Sequence, residues 1–154
     1  MRFHQVRDIV TWAADFHAQL AGQYHDLAKR CDDERVRMAL TYLAGHEHKM
    51  QRGLRRYLDS ESEHLHVLDT WYSELPDLPH PEVLIGLFDG GDCKTVDQVL
   101  AHALKVHQTF GDMYRHRAAE SSIDAEQAFF AALADGHEGE VRRLARNIAR
   151  LEAY

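Results

Sequence analysis

Apolar residues recur at steps of three and four in four separate parts of the chain. These parts cover about 5–30, 34–58, 95–119 and 123–152. Because one turn of an α-helix takes 3.6 residues, the apolar positions within each part fall on one side of a helix. The pattern therefore predicts four long helices, each with a narrow apolar stripe.

The predicted helices are joined by connections of very different length. A short acidic turn follows the first helix, and a pair of serines follows the third, whereas the middle connection is long and holds all three prolines. Short turns make antiparallel neighbours, and a long connection can run the length of a bundle. We therefore predict an all-α four-helix bundle in which a single domain, 1–154, consists of a hairpin at 5–58, a crossover at 59–94 and a hairpin at 95–152.

Local signals indicate where some of these elements begin. An aspartate in the turn before the second helix can act as its N-cap. Thr95 and Gln98 have the spacing of a capping box, which would open the third helix. Within the crossover, His66–Leu75 is a candidate for a short helix.

The two halves of the chain match at a constant offset of 90 residues, without a gap between positions 6 and 56. Shared helix patterning can explain the apolar matches. It does not explain why His17 aligns with His107 and Tyr24 with Tyr114. We therefore predict an internal duplication.

Charge and hydropathy exclude some classes of partner. The net charge of −7 argues against binding to nucleic-acid phosphates. No run of 18 apolar residues occurs, and the N-terminus lacks the apolar core of a signal peptide, so we expect a cytoplasmic protein that does not enter a membrane. Cys31 and Cys93 have no CxxC spacing, and we expect free thiols.

Several ionisable residues lie inside the apolar stripes, near the middle of their helices. Since mid-helix positions meet at one level of a bundle, these side chains are predicted to converge in the core. Burying such groups is costly unless they are paired or bind a metal, and bundles build metal sites from Glu and His on facing helices. The residues are His17, Glu47, His107, His137 and Glu140, with Met50 one turn beyond Glu47.

The other polar residues of these segments fall off the stripes. We expect His48 and Glu138 to face solvent, and His46 lies at most at the edge of its stripe. The histidine-rich run LAGHEHKM at 43–50 is therefore expected to direct Glu47, rather than its histidines, into the core.

The spacing of these residues resembles that of the ferritin-like superfamily, and within it the rubrerythrin-type proteins. That family carries a Glu seven residues before a Tyr on helices one and three, and a Glu-x-x-His after Leu-Ala on helices two and four. Both hairpins show this spacing. The matching elements are His17 with Tyr24, His107 with Tyr114, LAGHEHKM at 43–50 and LADGHEGE at 133–140.

The resemblance implies a bundle with a di-iron carboxylate site, but the residues at the six ligand positions have changed. Only Glu47 keeps the residue type of the family, and the set now has two carboxylates, three histidines and a thioether. Such a set favours one nitrogen-rich site for Zn, Fe, Ni or Cu. The positions correspond to His17, Glu47, Met50, His107, His137 and Glu140.

Two functions remain open at this point. In the first, the core binds a transition metal in metal handling or redox chemistry. In the second, the protein binds no metal, Glu47 and Glu140 pair with the core histidines, and the bundle serves as a scaffold or interaction module. The resemblance implies a homodimer in either case, and whether the protein is an enzyme stays open.

Overall fold

The computed structural model describes residues 4–59, 65–72 and 95–152, and these are almost entirely helical. The bounds of the four long helices differ from the predicted ones by at most one residue, and no strand occurs in the described part of the chain. The all-α prediction is therefore confirmed. The helices are α1 (Val6–Arg30), α2 (Glu34–Tyr57), α3 (Leu65–Leu68), α4 (Val96–Glu120) and α5 (Asp124–Glu152).

The predicted caps begin two of these helices. The Asp33 carboxylate accepts hydrogen bonds from the backbone N–H groups of Arg35 and Val36, at 2.9 and 3.1 Å. At the start of α4, the Thr95 hydroxyl and the Gln98 side chain each accept from the other's backbone N–H at 3.1 Å. These bonds satisfy donors that the first turn of a helix leaves without a partner.

The long helices form two antiparallel hairpins, α1 with α2 and α4 with α5. An aromatic cluster in the core joins them. The rings of Phe16 and Phe110 stack with centroids 4.7 Å apart, and Trp12 stacks on Phe110 at 5.4 Å. Burial of each such ring contributes about 1.5–3 kcal/mol, so this contact between α1 and α4 is a strong link between the hairpins.

The described part of the crossover packs against one end of the bundle. Val67 and Leu68 are buried. The guanidinium group of Arg117 lies 4.9 Å from the Tyr72 ring centroid and 3.4 Å from the Glu126 carboxylate. These contacts fix the crossover beside the turn between α4 and α5.

The short crossover helix is smaller than predicted, because it ends at Leu68 rather than near residue 75. The chain then becomes extended and pairs with the start of α1: the N–H of Val6 donates to the Thr70 carbonyl, and that of Tyr72 to the His4 carbonyl. This pairing uses backbone groups that a longer helix would need. The rest of the crossover, with the prolines and Cys93, lies outside the described residues.

The helix starts repeat at the offset seen in the sequence. Helices α1 and α4 each have 25 residues and begin 90 positions apart, and the starts of α2 and α5 also lie 90 positions apart. The duplication itself stays a prediction.

Within the described helices, none combines the length and the apolar character that a bilayer span requires. The cytoplasmic location and the homodimer stay predictions.

Candidate functional site

A single buried carboxylate joins three of the four long helices. Glu47 of α2 has no exposed surface, and one of its oxygens, Oε2, lies 2.6 Å from Nδ1 of His17 on α1. The other oxygen, Oε1, is hydrogen-bonded to Nε2 of His107 on α4. Both histidines are fully buried. The structure thus brings together three of the residues that the stripes placed in the core.

His137 of α5 completes this group from the second hairpin. Its Nε2 lies 2.8 Å from the backbone carbonyl oxygen of His107, to which it donates. Gly111 on α4 leaves space for the ring, because a Cβ there would lie only 3.2 Å from Cδ2 of His137. The four core residues therefore come from four different helices.

Burial and proximity determine the charges of this group. Burial alone would raise the pKa of Glu47, but the imidazoles of His107 and His17 outweigh it and lower that pKa below its ordinary value. Burial lowers the pKa of His17, although Glu47 opposes this, and burial lowers the pKa of His137 to about 3. At neutral pH, the site therefore contains a carboxylate with neutral imidazoles at His17 and His137.

Each of the three imidazoles has one nitrogen in a hydrogen bond and one buried nitrogen without a partner. The unpaired nitrogens are Nε2 of His17, Nδ1 of His107 and Nδ1 of His137. Because neutral His17 donates from Nδ1 and neutral His137 donates from Nε2, the unpaired nitrogens of these two carry lone pairs. Metal-binding histidines commonly show this arrangement, in which a carboxylate or carbonyl fixes the tautomer.

The spacing of the rings suits a shared ligand better than their orientation does. The ring centroids lie 5.9 Å apart for His17 and His107, 6.2 Å for His17 and His137, and 5.1 Å for His107 and His137. Two imidazoles on one metal ion would have centroids roughly 5 Å apart, from the usual metal–nitrogen distances. In the described residues, however, no three His, Cys, Asp or Glu side chains form a ligand set, so metal binding requires some of these side chains to move.

A cleft of about 640 Å³ between α2 and α5 gives access to this group. His17 and His137 contribute to its inner wall, and Met50 and Glu140 also line it. Two of the predicted core histidines therefore face a space that a ligand can enter.

Glu140 does not join the hydrogen bonds around Glu47, contrary to the expected convergence. Its side chain is 25% exposed and pairs with Arg143 at 2.9 Å and with Lys49 at 3.6 Å. These two cations hold the carboxylate at the edge of the cleft. Met50 is half-buried beside the same cleft.

One buried histidine was not expected in the core. His46 is only 7% exposed, and its ring lies edge-on to His107 with centroids 5.8 Å apart. Burial lowers its pKa to about 4. The available signal was its step of three from Leu43, since α2 is buried over a wider face than its narrow stripe indicated.

The donor set does not fit a di-iron carboxylate centre. Two hard cations need several carboxylates, some of them bridging. Here, both oxygens of Glu47 are hydrogen-bonded to imidazoles, and Glu140 is paired with cations at the cleft edge. The unpaired imidazole nitrogens are instead donors that suit one ion of Zn, Fe, Ni or Cu.

Comparison with known proteins supports the fold. No protein-family model matches the chain, and no curated protein matches its sequence. Among solved structures, the chain is similar to one from Thermotoga maritima described as a "putative ferritin-like diiron-carboxylate protein". The TM-score is 0.54 at 18% sequence identity, over 95% of this chain and 96% of the other. The chain therefore has the ferritin-like fold that its residue spacing predicted.

Proposed function

We propose that this ferritin-like protein binds a single transition metal ion in the core of the bundle, in metal handling or redox chemistry. The observation that carries the proposal is the set of buried imidazole nitrogens without partners at His17, His107 and His137. A buried acceptor without a hydrogen bond costs about 1–3 kcal/mol, and a bound metal would satisfy it.

The residues divide into those that would hold the metal and those that would position them. His17 and His137 face the cleft and would supply nitrogen ligands, with Met50 and Glu140 beside them. Glu47 would fix the ring of His17 from behind. A Zn ion there would act as a Lewis acid, whereas Fe or Cu would supply electron transfer.

The similar protein from Thermotoga maritima supports metal binding only in a general way. Its description names a diiron-carboxylate centre, and this chain has the same fold. Because the carboxylates needed for two irons are lacking in the described core, we propose one metal ion in place of two, with iron as one of the candidates.

Elemental analysis of protein purified without an affinity tag tests this proposal. We expect about one metal ion per chain, or one-to-one binding of Fe(II), Zn(II), Ni(II) or Cu(II) to chelator-treated protein in calorimetry. His17→Ala and His137→Ala should each weaken binding by about tenfold or more. His48→Ala is the matched control, because His48 is exposed on α2.

Glu47→Gln separates a positioning role from simple folding. It should weaken metal binding by about 10–100-fold, since a residue that orients a ligand typically has this effect. Circular dichroism would verify that the variant is still helical. No metal in the purified protein, together with no binding of any of the four ions, would overturn the proposal.

The second candidate is a metal-free bundle that acts as a scaffold. It is favoured by the fact that Glu47 is already hydrogen-bonded at both oxygens without a metal. In that case, EDTA should leave the melting temperature unchanged. A fall of several degrees after EDTA, reversed by one added metal, would decide against the scaffold.

A further inference from the structure

We propose that the cleft between α2 and α5 binds an amphipathic organic anion, a carboxylate or sulfonate on an apolar body. This goes beyond the metal site and does not depend on it. The size of the cleft, the chemistry of its walls and the charges at its edge support this ligand.

The cleft is much larger than a metal ion requires. Its volume is about 640 Å³. A metal ion with two or three waters would take on the order of 100 Å³, at about 30 Å³ per water. Pockets for small organic ligands typically measure roughly 300–1,000 Å³. The space therefore fits a ligand with an organic body.

The walls are mainly apolar, with a few polar groups deep inside. Leu54 and Leu133 are both buried core residues that also line the cleft. Tyr57 and Tyr114 add aromatic surface from α2 and α4. His17 lines the cleft as a fully buried residue, and its Nε2 has no hydrogen-bond partner within the described residues. An apolar body with few polar atoms matches these walls.

Two cations on α2 indicate an anionic ligand. Lys49 and Arg56 line the cleft, and Arg56 has no acidic partner among the described residues. The carboxylate of Glu140 is also present, but Arg143 and Lys49 both pair with it. The excess positive charge therefore lies at Arg56, where an acid group would bind.

Two glycines line the cleft, one on each of its two main helices. Gly53 of α2 and Gly136 of α5 line it, and a Cβ at either position would meet nothing within 4 Å. Glycine inside a helix is destabilising relative to alanine. The space beside these two glycines is not filled by other side chains of the described residues, so it is available to a ligand.

Fluorescence titration with two probes tests the proposal on chelator-treated protein. Anilinonaphthalene sulfonate carries an anionic group on an aromatic body, and phenylnaphthylamine has nearly the same body without the charge. We expect saturable one-to-one binding of the anion, at least about tenfold tighter than that of the neutral probe. Because the metal is removed, the result is independent of the proposed metal site.

Filling the cleft should abolish this binding. Gly136→Leu, and separately Gly53→Leu, should weaken binding of the anionic probe by at least about tenfold. Gly45→Leu is the matched control, because Gly45 also has open space around it but does not line the cleft. Having two filling variants keeps the test valid if one of them fails to fold, as judged by circular dichroism.

Arg56→Gln tests the role of charge. It should weaken the anionic probe by about tenfold and leave the neutral probe within about twofold. Equal affinity of the wild type for both probes would overturn the anionic ligand. Absence of saturable binding, or unchanged binding in both filling variants, would overturn the site.

Discussion

The first hairpin contributes a carboxylate to the core, and the second contributes an imidazole at the equivalent position. Glu47 on α2 and His137 on α5 are 90 residues apart, as are His17 and His107. Glu47 accepts from both of these histidines, whereas His137 donates to a backbone carbonyl. Similar helices therefore carry different chemistry at one level of the bundle.

The difference extends to the residues that make room for each group. Gly111 on α4 lies directly under the ring of His137, and the equivalent residue on α1 is Ala21. The first hairpin thus supplies the Glu47 carboxylate, which accepts the hydrogen bonds of the site. The second hairpin supplies the His137 ring, which packs into the space beside Gly111. The site needs both hairpins, and neither half contains it alone.

Of the predicted effects, the loss of stability in acid should be the largest in the metal-free protein. The pKa values of His46 and His137, about 4 and 3, lie below the ordinary 6.5. The unfolded chain therefore binds protons that the folded chain does not. The stability that these two neutral histidines contribute is fully present above pH 6.5. It is lost as the pH falls through 4 and on to 3, by an amount of the order of 5 kcal/mol.

Urea unfolding across this pH range would measure the loss of stability and show which hairpin causes it. His137→Gln should flatten the pH dependence more than His46→Gln, because His137 has the lower pKa. The lowered pKa of Glu47 adds a loss only below its ordinary value of 4.5. A stability that does not change between pH 7 and 5 would contradict the burial of neutral histidines.

Glu47→Gln should be the most destabilising single change. Removing one partner of a buried charged group typically costs about 3–5 kcal/mol. Here the Gln amide keeps one acceptor oxygen but places its NH2 group against the second imidazole N–H. His137→Gln should cost about 1–3 kcal/mol, since it weakens one hydrogen bond to a carbonyl. Denaturant unfolding at pH 7 compares the two, with exposed Glu138→Gln as the control. Equal losses at Glu47 and His137 would remove the distinction between the hairpins.

Gly111→Ala should reduce stability, whereas Gly45→Ala should increase it. A methyl group at position 111 would press on the ring of His137, and overpacking costs about 1–3 kcal/mol. At position 45 a Cβ meets open space, so alanine gains up to about 1 kcal/mol of helix propensity. Thermal unfolding of both variants gives the signs. A gain at position 111 would show that the ring does not need the gap.

The exposed ion pairs within each hairpin should contribute least. Arg55 pairs with Asp15 at 2.8 Å in the first hairpin, and Arg115 pairs with Glu138 at 3.1 Å in the second. Their side chains are about half exposed, so each pair is worth roughly 0–1 kcal/mol. Double-mutant cycles would measure this. A larger value in one hairpin would show that surface charge also distinguishes the halves.

Much of the site was predictable because helix periodicity alone selects which residues face inward. His17, Glu47, His107 and His137 all fall on the apolar stripes, and all four are buried. The periodicity failed for His46 because it gives an angle around the helix axis but not the width of the buried face. That width depends on how closely the neighbouring helices approach.

The sequence by itself determined the four helices, their caps and the level at which the core residues meet, because these follow from local periodicity and from capping chemistry. Only the tertiary structure decided where the carboxylate of Glu140 lies. Its position on the stripe is correct, but α2 and α5 separate into a cleft at that level, and Arg143 and Lys49 hold the carboxylate there. The separation of two helices depends on side chains far apart in the chain, so no local pattern could contain it.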